Sequence, residues 1–288
     1  MKNFKFTLFT PCYNGAHCIN RVFDSVLAQT YTNFEWIIIN DASTDNSDDI
    51  IRELIKSLPT TINVSYFVNE RNLGKHRSWN RALKMATGDL WVCCDCDDAF
   101  SPEALATFNE RWNLVYEDES YCGINCLCKD PLTGKIRGAA FPKDNYTSDK
   151  LRLASVDNVP GEKWDCTRLD LLRKRPFPEV EGSYFTEVYI WWMLAFWGYK
   201  LLCINEPLRD YYYEPNSLMN NPVVNLKRVK QRRLASKWYL FGECKLYLWR
   251  HKSWFMVREL CMLSFTNIYI VWEKIKEKLF NCDSSSCI

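Results

Sequence analysis

The sequence predicts an α/β fold, with a mostly parallel central sheet covered by helices on both faces. Three observations predict it. Over the first hundred residues, short runs rich in aromatic and β-branched residues alternate with segments of helical period. Each strand-like run ends in a polar, turn-forming cluster, and a strand–helix–strand order of this kind builds parallel sheets. With 288 residues, 47% of them hydrophobic, the chain can bury one large core and still carry an appendage.

The elements follow in order. Residues 4–9 read as a first strand, cut by Pro11. Ile19, Val22, Phe23, Val26 and Leu27 then recur at helical spacing, and residues 34–39 read as a buried strand. Ser47 to Ser57 carries Ile50, Ile51, Leu54 and Ile55 on one helical face, and residues 62–68 form a third strand. A helix over 75–86 stops at Thr87-Gly88, and residues 90–94 make the fourth strand. Ser101-Pro102-Glu103 opens a further helix with Ser101 as its cap. The middle, from about 120 to 222, is less regular, with strand-like pieces at 121–128 and 201–204 and an apolar helix over 186–197. Residues 1–222 are expected to form one domain in two halves, 1–118 and 119–222. Residues 223–288 form a basic, aromatic, helical extension.

Charge and cysteines narrow the class. Net charge is only +2, yet between Lys227 and Arg258 ten basic residues face one acid, Glu243. This asymmetry fits an anionic membrane surface better than nucleic acid, which is not expected as a partner. No stretch approaches the ~20 apolar residues that span a bilayer. The chain is therefore expected in the cytoplasm, touching the inner face of the membrane through its tail. The fourteen cysteines read as reduced thiols, because Cys93, Cys94, Cys96, Cys122, Cys126 and Cys128 lack the paired spacing of a zinc ribbon.

In open parallel sheets, ligands bind beyond the carboxyl ends of the strands. The clusters at 11–14, 40–45 and 95–98 all follow strand ends, so they are expected to share one crevice. Asp95 and Asp97 can reach a divalent cation and a ribose together, since hard cations take carboxylate and phosphate oxygens. An acidic turn that merely caps the next helix is the plainer alternative, and Asp98 suits that role. Asp41 can accept from a base N–H or a ribose hydroxyl, or simply shape the turn in which it sits.

Taken together, Thr10-Pro11-Cys12-Tyr13-Asn14, Asn40-Asp41-Ala42-Ser43-Thr44-Asp45, Asn72-Leu73-Gly74-Lys75 with Asn80, and Asp95-Cys96-Asp97-Asp98 with Pro102 resemble the family 2 glycosyltransferases of GT-A fold. The match runs over roughly the first 115 residues. The resemblance implies an inverting transferase that uses a nucleotide-diphospho-sugar, most simply a UDP-sugar, and manganese or magnesium. By the same resemblance, Pro11, Tyr13, Asn14, Asp41, Arg71, Lys75 and Asp95 hold the nucleotide-sugar, and Asp97 holds the metal. The family also has an acidic pair opening a helix, with a glycine eleven residues after the second acid. Here Thr186-Glu187 and Gly198 stand at those places, which makes Glu187 the general base and leaves Thr186 as a departure. Glu181 is its nearest rival, and a purely helix-capping Glu187 is the plainer reading. Glu214 stands where many members carry histidine and is assigned to the metal as an oxygen donor. The resemblance makes 1–118 the nucleotide-binding half and 119–222 the acceptor and catalytic half, with Trp164, Asp165 and Arg168 placed on the acceptor side. The implied acceptor is a hydroxyl of a glycan or lipid-linked glycan, in surface polysaccharide or glycolipid synthesis. Two other readings remain: a non-catalytic glycan- or partner-binding protein on a transferase scaffold, and a nucleotidyltransferase, against which the single glycine of Thr10 to Gly15 argues.

Overall fold

The computed structural model describes residues 1–179, 185–213, 256–257, 260–261 and 263–272. Contacts divide the chain into two units, Met1–Phe177 with Glu187–Glu214, and Pro178–Thr186 with Pro215–Ile288. The second unit, in its described part, is helical at 263–272. Glu181, Glu214 and most of the expected C-terminal extension lie outside the described residues. Among the described residues, no helix is long and apolar enough to cross a membrane.

The first unit is built on a nine-stranded sheet. Four strands form its parallel half: β1 (Phe6–Cys12), β2 (Phe34–Asn40), β3 (Asn63–Val68) and β4 (Leu90–Cys93), in the order β3-β2-β1-β4. Helices α1 (Asn20–Leu27), α2 (Ser47–Ser57) and α3 (Lys75–Met85) make the crossovers. Beyond β4 the sheet becomes mixed. There, β8 (Lys163–Arg168) runs antiparallel to both β4 and β6 (Tyr121–Lys129), and β9 (Lys200–Asp210) lies parallel to β6. Two short strands, β5 (Ala99–Phe100) and β7 (Tyr146–Ser148), pair with β9.

β2 reads as an unbroken apolar run because both its faces are covered, and Trp36, Ile37, Ile38 and Ile39 are all buried. One face packs Phe6, Leu8, Trp36 and Val92 against α1, α2 and α4 (Ala104–Trp112), through Val22, Phe23, Ile51 and Phe108. On the other face, Phe9 and Trp91 meet Trp79 of α3. Trp79 in turn contacts Phe177 and Trp191, the latter from α7 (Val188–Phe196).

Two local readings of the sequence are corrected. Pro11 does not cut β1, which runs on to Cys12. The β1–β4 ladder ends at Phe9–Cys93, so the missing proline N–H falls where β1 has no neighbour on that side. Ser101 does not cap α4, whose cap position is Glu103; the Ser101 N–H instead donates to Leu208 and extends the β5–β9 pairing. Helix α3 ends at Met85, just before the Thr87-Gly88 stop signal, although Gly88 itself takes no left-handed φ. Gly88 lies against β1, where an added Cβ would sit 2.7 Å from Thr7 N and 2.8 Å from Lys5 O.

A carboxylate clamp joins the first strands. Glu35 on β2 accepts from Thr7 Oγ1 at 2.7 Å, from Lys5 Nζ at 3.0 Å, and from the N–H and hydroxyl of Thr87. Burial pushes its pKa up, but the bonds from Thr87, Thr7 and Lys5 outweigh burial and hold it at about 2. A depressed folded pKa contributes stability that is complete above the ordinary value of 4.5 and is lost as pH falls toward 2. Urea unfolding at a series of pH values should therefore show stability falling across that window, with a shallower fall in Glu35→Gln. An identical slope in the variant would remove Glu35 from the account.

Candidate active site

The four parallel strands end at one edge of the sheet, and hydrogen bonds lace their loops together. After β1, Asn14 adopts left-handed backbone (φ 54°), which a short polar side chain tolerates. Its N–H donates to Ser43 Oγ at 2.9 Å, and its Oδ1 accepts from Thr44 N at 2.8 Å. Gly15 and Ala16 donate to Ser47 Oγ and Asp45 Oδ2. The first two loops are thus one hydrogen-bonded unit. Pro11 is half-buried at its base, and Tyr13 is 47% exposed beside it.

Asp41 is buried. Its Oδ1 accepts from Asn69 Nδ2 at 2.7 Å and Leu73 N at 2.9 Å, and its Oδ2 accepts from Gly74 N at 2.7 Å. In this structure Asp41 holds the loop after β3 by three donors. That loop turns through Gly74, whose φ of 87° suits a residue without Cβ, and delivers Lys75 to the first position of α3. A cation at that end of a helix opposes the helix dipole by about 0.3–1 kcal/mol, and no acid stands in the first turn to offset it. Lys75 serves the rim, not the helix. Arg71, on the same loop, is exposed.

The Lys75 ammonium lies between two carboxylates from distant parts of the chain. It is 2.5 Å from Asp95 Oδ1 and pairs with Glu187 Oε1. Burial alone would lower the Lys75 pKa, but Asp95, Cys93 and Glu187 outweigh it and carry the pKa well above its usual value. Asp95 stands two residues past β4, and its other oxygen meets Arg209 of β9 at 3.0 Å. Burial pushes Asp95 up, yet Lys75 and Arg209 hold it at about 2. Arg209 also grips Asp98 through Nε at 2.8 Å, and Tyr212 N donates to Asp98 Oδ1 at 3.1 Å. The structural role expected of Asp98 takes this form, an anchor between the acidic loop and β9. Glu187 is the cap residue of α7 and makes no side-chain bond to the helix N-terminus. It reaches the rim instead.

Asp97 differs from its neighbours. Among the described residues its carboxylate has no ion-pair partner, while its carbonyl accepts from Arg21 at 2.9 Å. Burial and the nearby charge of Asp95 raise its pKa, and Arg209 and Lys75 only partly oppose them. An acid raised in this way, without a cation of its own, is the donor that a hard divalent ion relieves. The residues therefore fit a metal at Asp97. Cys93, Asp95 and Glu187 also bring ligand atoms within 4.8 Å of one another, but Lys75 already answers their charge. Among the described residues, no group of metal-binding side chains is made of cysteines alone.

Arg209 is absent from the sequence reading. The signal was present: three acids at 95, 97 and 98 enter a half-buried loop, and such charges need an internal counter-ion. Of the residues placed on the acceptor side, Trp164 packs on Phe100 and Phe108 and donates to Cys93 O at 2.7 Å. Asp165 is paired with Lys150 at 2.8 Å. Arg168 lies opposite Leu90, at the far end of β4 from the rim. Arg168 pairs with Asp170 at 2.9 Å, so each of the three has a structural partner.

This architecture is that of the GT-A fold, and the solved structures agree. A mannosyltransferase of Pyrobaculum calidifontis, solved with GDP-Man and Mn2+, superposes with a TM-score of 0.59 at 19% identity, covering 96% of this chain and 76% of that one. Staphylococcus aureus TarS residues 1–349 with UDP-GlcNAc gives 0.59 at 18% identity, covering 91% and 71%. In sequence, residues 7–114 match the family model "Glycosyl transferase family 2". An uncharacterised glycosyltransferase of Nostoc sp. is 35% identical over 217 residues, covering 72% of this chain and 64% of its own length. By these matches the chain carries a glycosyl transferase family 2 domain over residues 7–114.

Proposed function

We propose that this chain is an inverting glycosyltransferase that moves a sugar from a nucleotide-diphospho-sugar, a UDP-sugar first among them, to a hydroxyl of a glycan or lipid-linked glycan. The observation that carries the reading is the convergence of Glu187 and Asp95 on one rim, with Asp97 beside them lacking a cation partner among the described residues.

Inversion in a single displacement needs a base to take the acceptor proton as its oxygen attacks the anomeric carbon. Glu187 is that base: a half-exposed carboxylate at the open edge, brought there by the start of α7. The leaving nucleoside diphosphate gathers negative charge. Lys75 and Arg71 stand on the loop beyond β3 to meet its phosphates, while Pro11, Tyr13 and Asn14 border the nucleobase side. Asp41 acts mainly by fixing the Lys75 loop, and through that loop it shapes the nucleotide pocket. Asp95 orients Lys75 toward the sugar side. A divalent cation held at Asp97 would offset the diphosphate charge. The Mn2+ in the Pyrobaculum structure and the UDP-GlcNAc in TarS support a metal-assisted, nucleotide-sugar-dependent reading for this chain. The basic segment at 227–258, largely outside the described residues, is the part suited to an anionic membrane that carries a lipid-linked acceptor.

The test is a donor screen. Purified chain with manganese is offered UDP- and GDP-sugars and a panel of glycan acceptors, and products are read by mass spectrometry. Transfer from at least one donor, abolished by chelator, is the expected result. Donor binding without transfer or hydrolysis across the panel would favour a non-catalytic binding protein instead.

A further inference from the structure

Lys75 is the one cation that touches both the proposed base and the acidic loop among the described residues. The groups facing it come from separate elements: Cys93 and Asp95 from the end of β4 and Glu187 from the start of α7. Arg209 from β9 stands behind Asp95. Cys93, Asp95 and Glu187 offer one sulfur and two carboxylate oxygens within 4.8 Å of one another, a set that a borderline ion such as zinc accepts. A metal bound there would take up the Glu187 oxygen that must receive the acceptor proton, so a second ion at this rim would silence the base.

We propose that Lys75 is a positioning residue that fills this cation position, tying Glu187 to the acidic loop and keeping a second metal ion out of the donor site. An ammonium group supplies the positive charge the two carboxylates require, but it offers no vacant coordination site. Its flexible stem also lets it turn toward incoming phosphate. Its placement is built in. Asp41 grips Leu73 and Gly74 immediately before it, and the left-handed turn at Gly74 aims the first residue of α3 at the rim. Helix stability does not select a lysine there, since the N-terminal end of a helix disfavours cations. The inference rests on the reading of Glu187 as the base.

The test counts bound zinc in the full chain without donor, by equilibrium dialysis and metal analysis, and then measures transfer kinetics. Lys75→Met should bind one zinc per chain more than the unmodified protein. The double variant Lys75→Met with Cys93→Ser should lose that extra ion, and Lys75→Arg should keep the original count. In the kinetic arm, kcat of Lys75→Met should fall by about 10²-fold, as expected for a misplaced catalytic group, with a smaller change in donor KM. Micromolar zinc should inhibit this variant further while leaving Lys75→Arg unaffected. An unchanged zinc count in Lys75→Met overturns the proposal, as does an extra ion that survives Cys93→Ser. Should Lys75→Met fail to fold by circular dichroism, Lys75→Gln replaces it with the same expectations. If the unmodified chain transfers no sugar from any donor, the functional reading fails, while the zinc count still decides the cation position.

Discussion

Glu187→Gln should retain nucleotide-sugar and manganese binding and lose about 10² to 10⁴ of the transfer rate, the range that a positioned general base supplies. The amide has the shape of the carboxylate but cannot take a proton, so the loss should appear in kcat with donor KM little changed. The structure adds a reason for that split. Glu187 reaches the rim from the start of α7, and its contact among the charged groups is Lys75, which also touches Asp95. Removing one negative charge leaves Lys75 paired with Asp95, so the donor side keeps its geometry. Calorimetry for donor and metal, with steady-state kinetics on the acceptor found in the screen, tests this. Normal kcat in Glu187→Gln would remove the base assignment and turn attention to Glu181.

Asp97→Ala should have the second large effect, in the opposite pattern. Asp95 has both oxygens engaged by Lys75 and Arg209, and Asp98 is held by Arg209 and Tyr212, which leaves Asp97 as the acid of the loop without a cation among the described residues. Its removal should abolish the manganese dependence of donor binding and lower kcat/KM by about 10²-fold or more, equivalent to about 3 kcal/mol of transition-state stabilisation. Donor affinity measured with and without manganese is the direct readout. Unchanged metal dependence in Asp97→Ala would move the ion elsewhere on the rim.

The parallel half of the fold was legible because its signals are local. β2 is a continuous apolar run and α2 spans Ser47–Ser57, where the spacing of Ile50, Ile51, Leu54 and Ile55 placed it. The rim followed from topology, since parallel strands deliver their polar ends to one edge. What stayed hidden depends on contacts between distant residues. Pro11 looked like a strand breaker because nothing nearby in sequence reveals that β4 stops short of it. Arg209 is 114 residues from Asp95, and no local pattern links a lone cation in β9 to an acidic loop after β4. The buried grip of Asp41 on Leu73 and Gly74 was hidden for the same reason, so a residue read chiefly as ligand-binding is also a structural bracket.

The interlocked loops at the strand ends have a thermodynamic consequence. Asn14 is bonded to Ser43 and Thr44, Gly15 to Ser47, and Asp41 to Leu73 and Gly74, all within the protein itself. Ordering a mobile side chain on association costs about 0.5–1.5 kcal/mol. Here folding has already met that cost for the loops proposed to cradle the nucleotide, and on that reading preorganisation leaves more of the binding energy to distinguish one base or sugar from another.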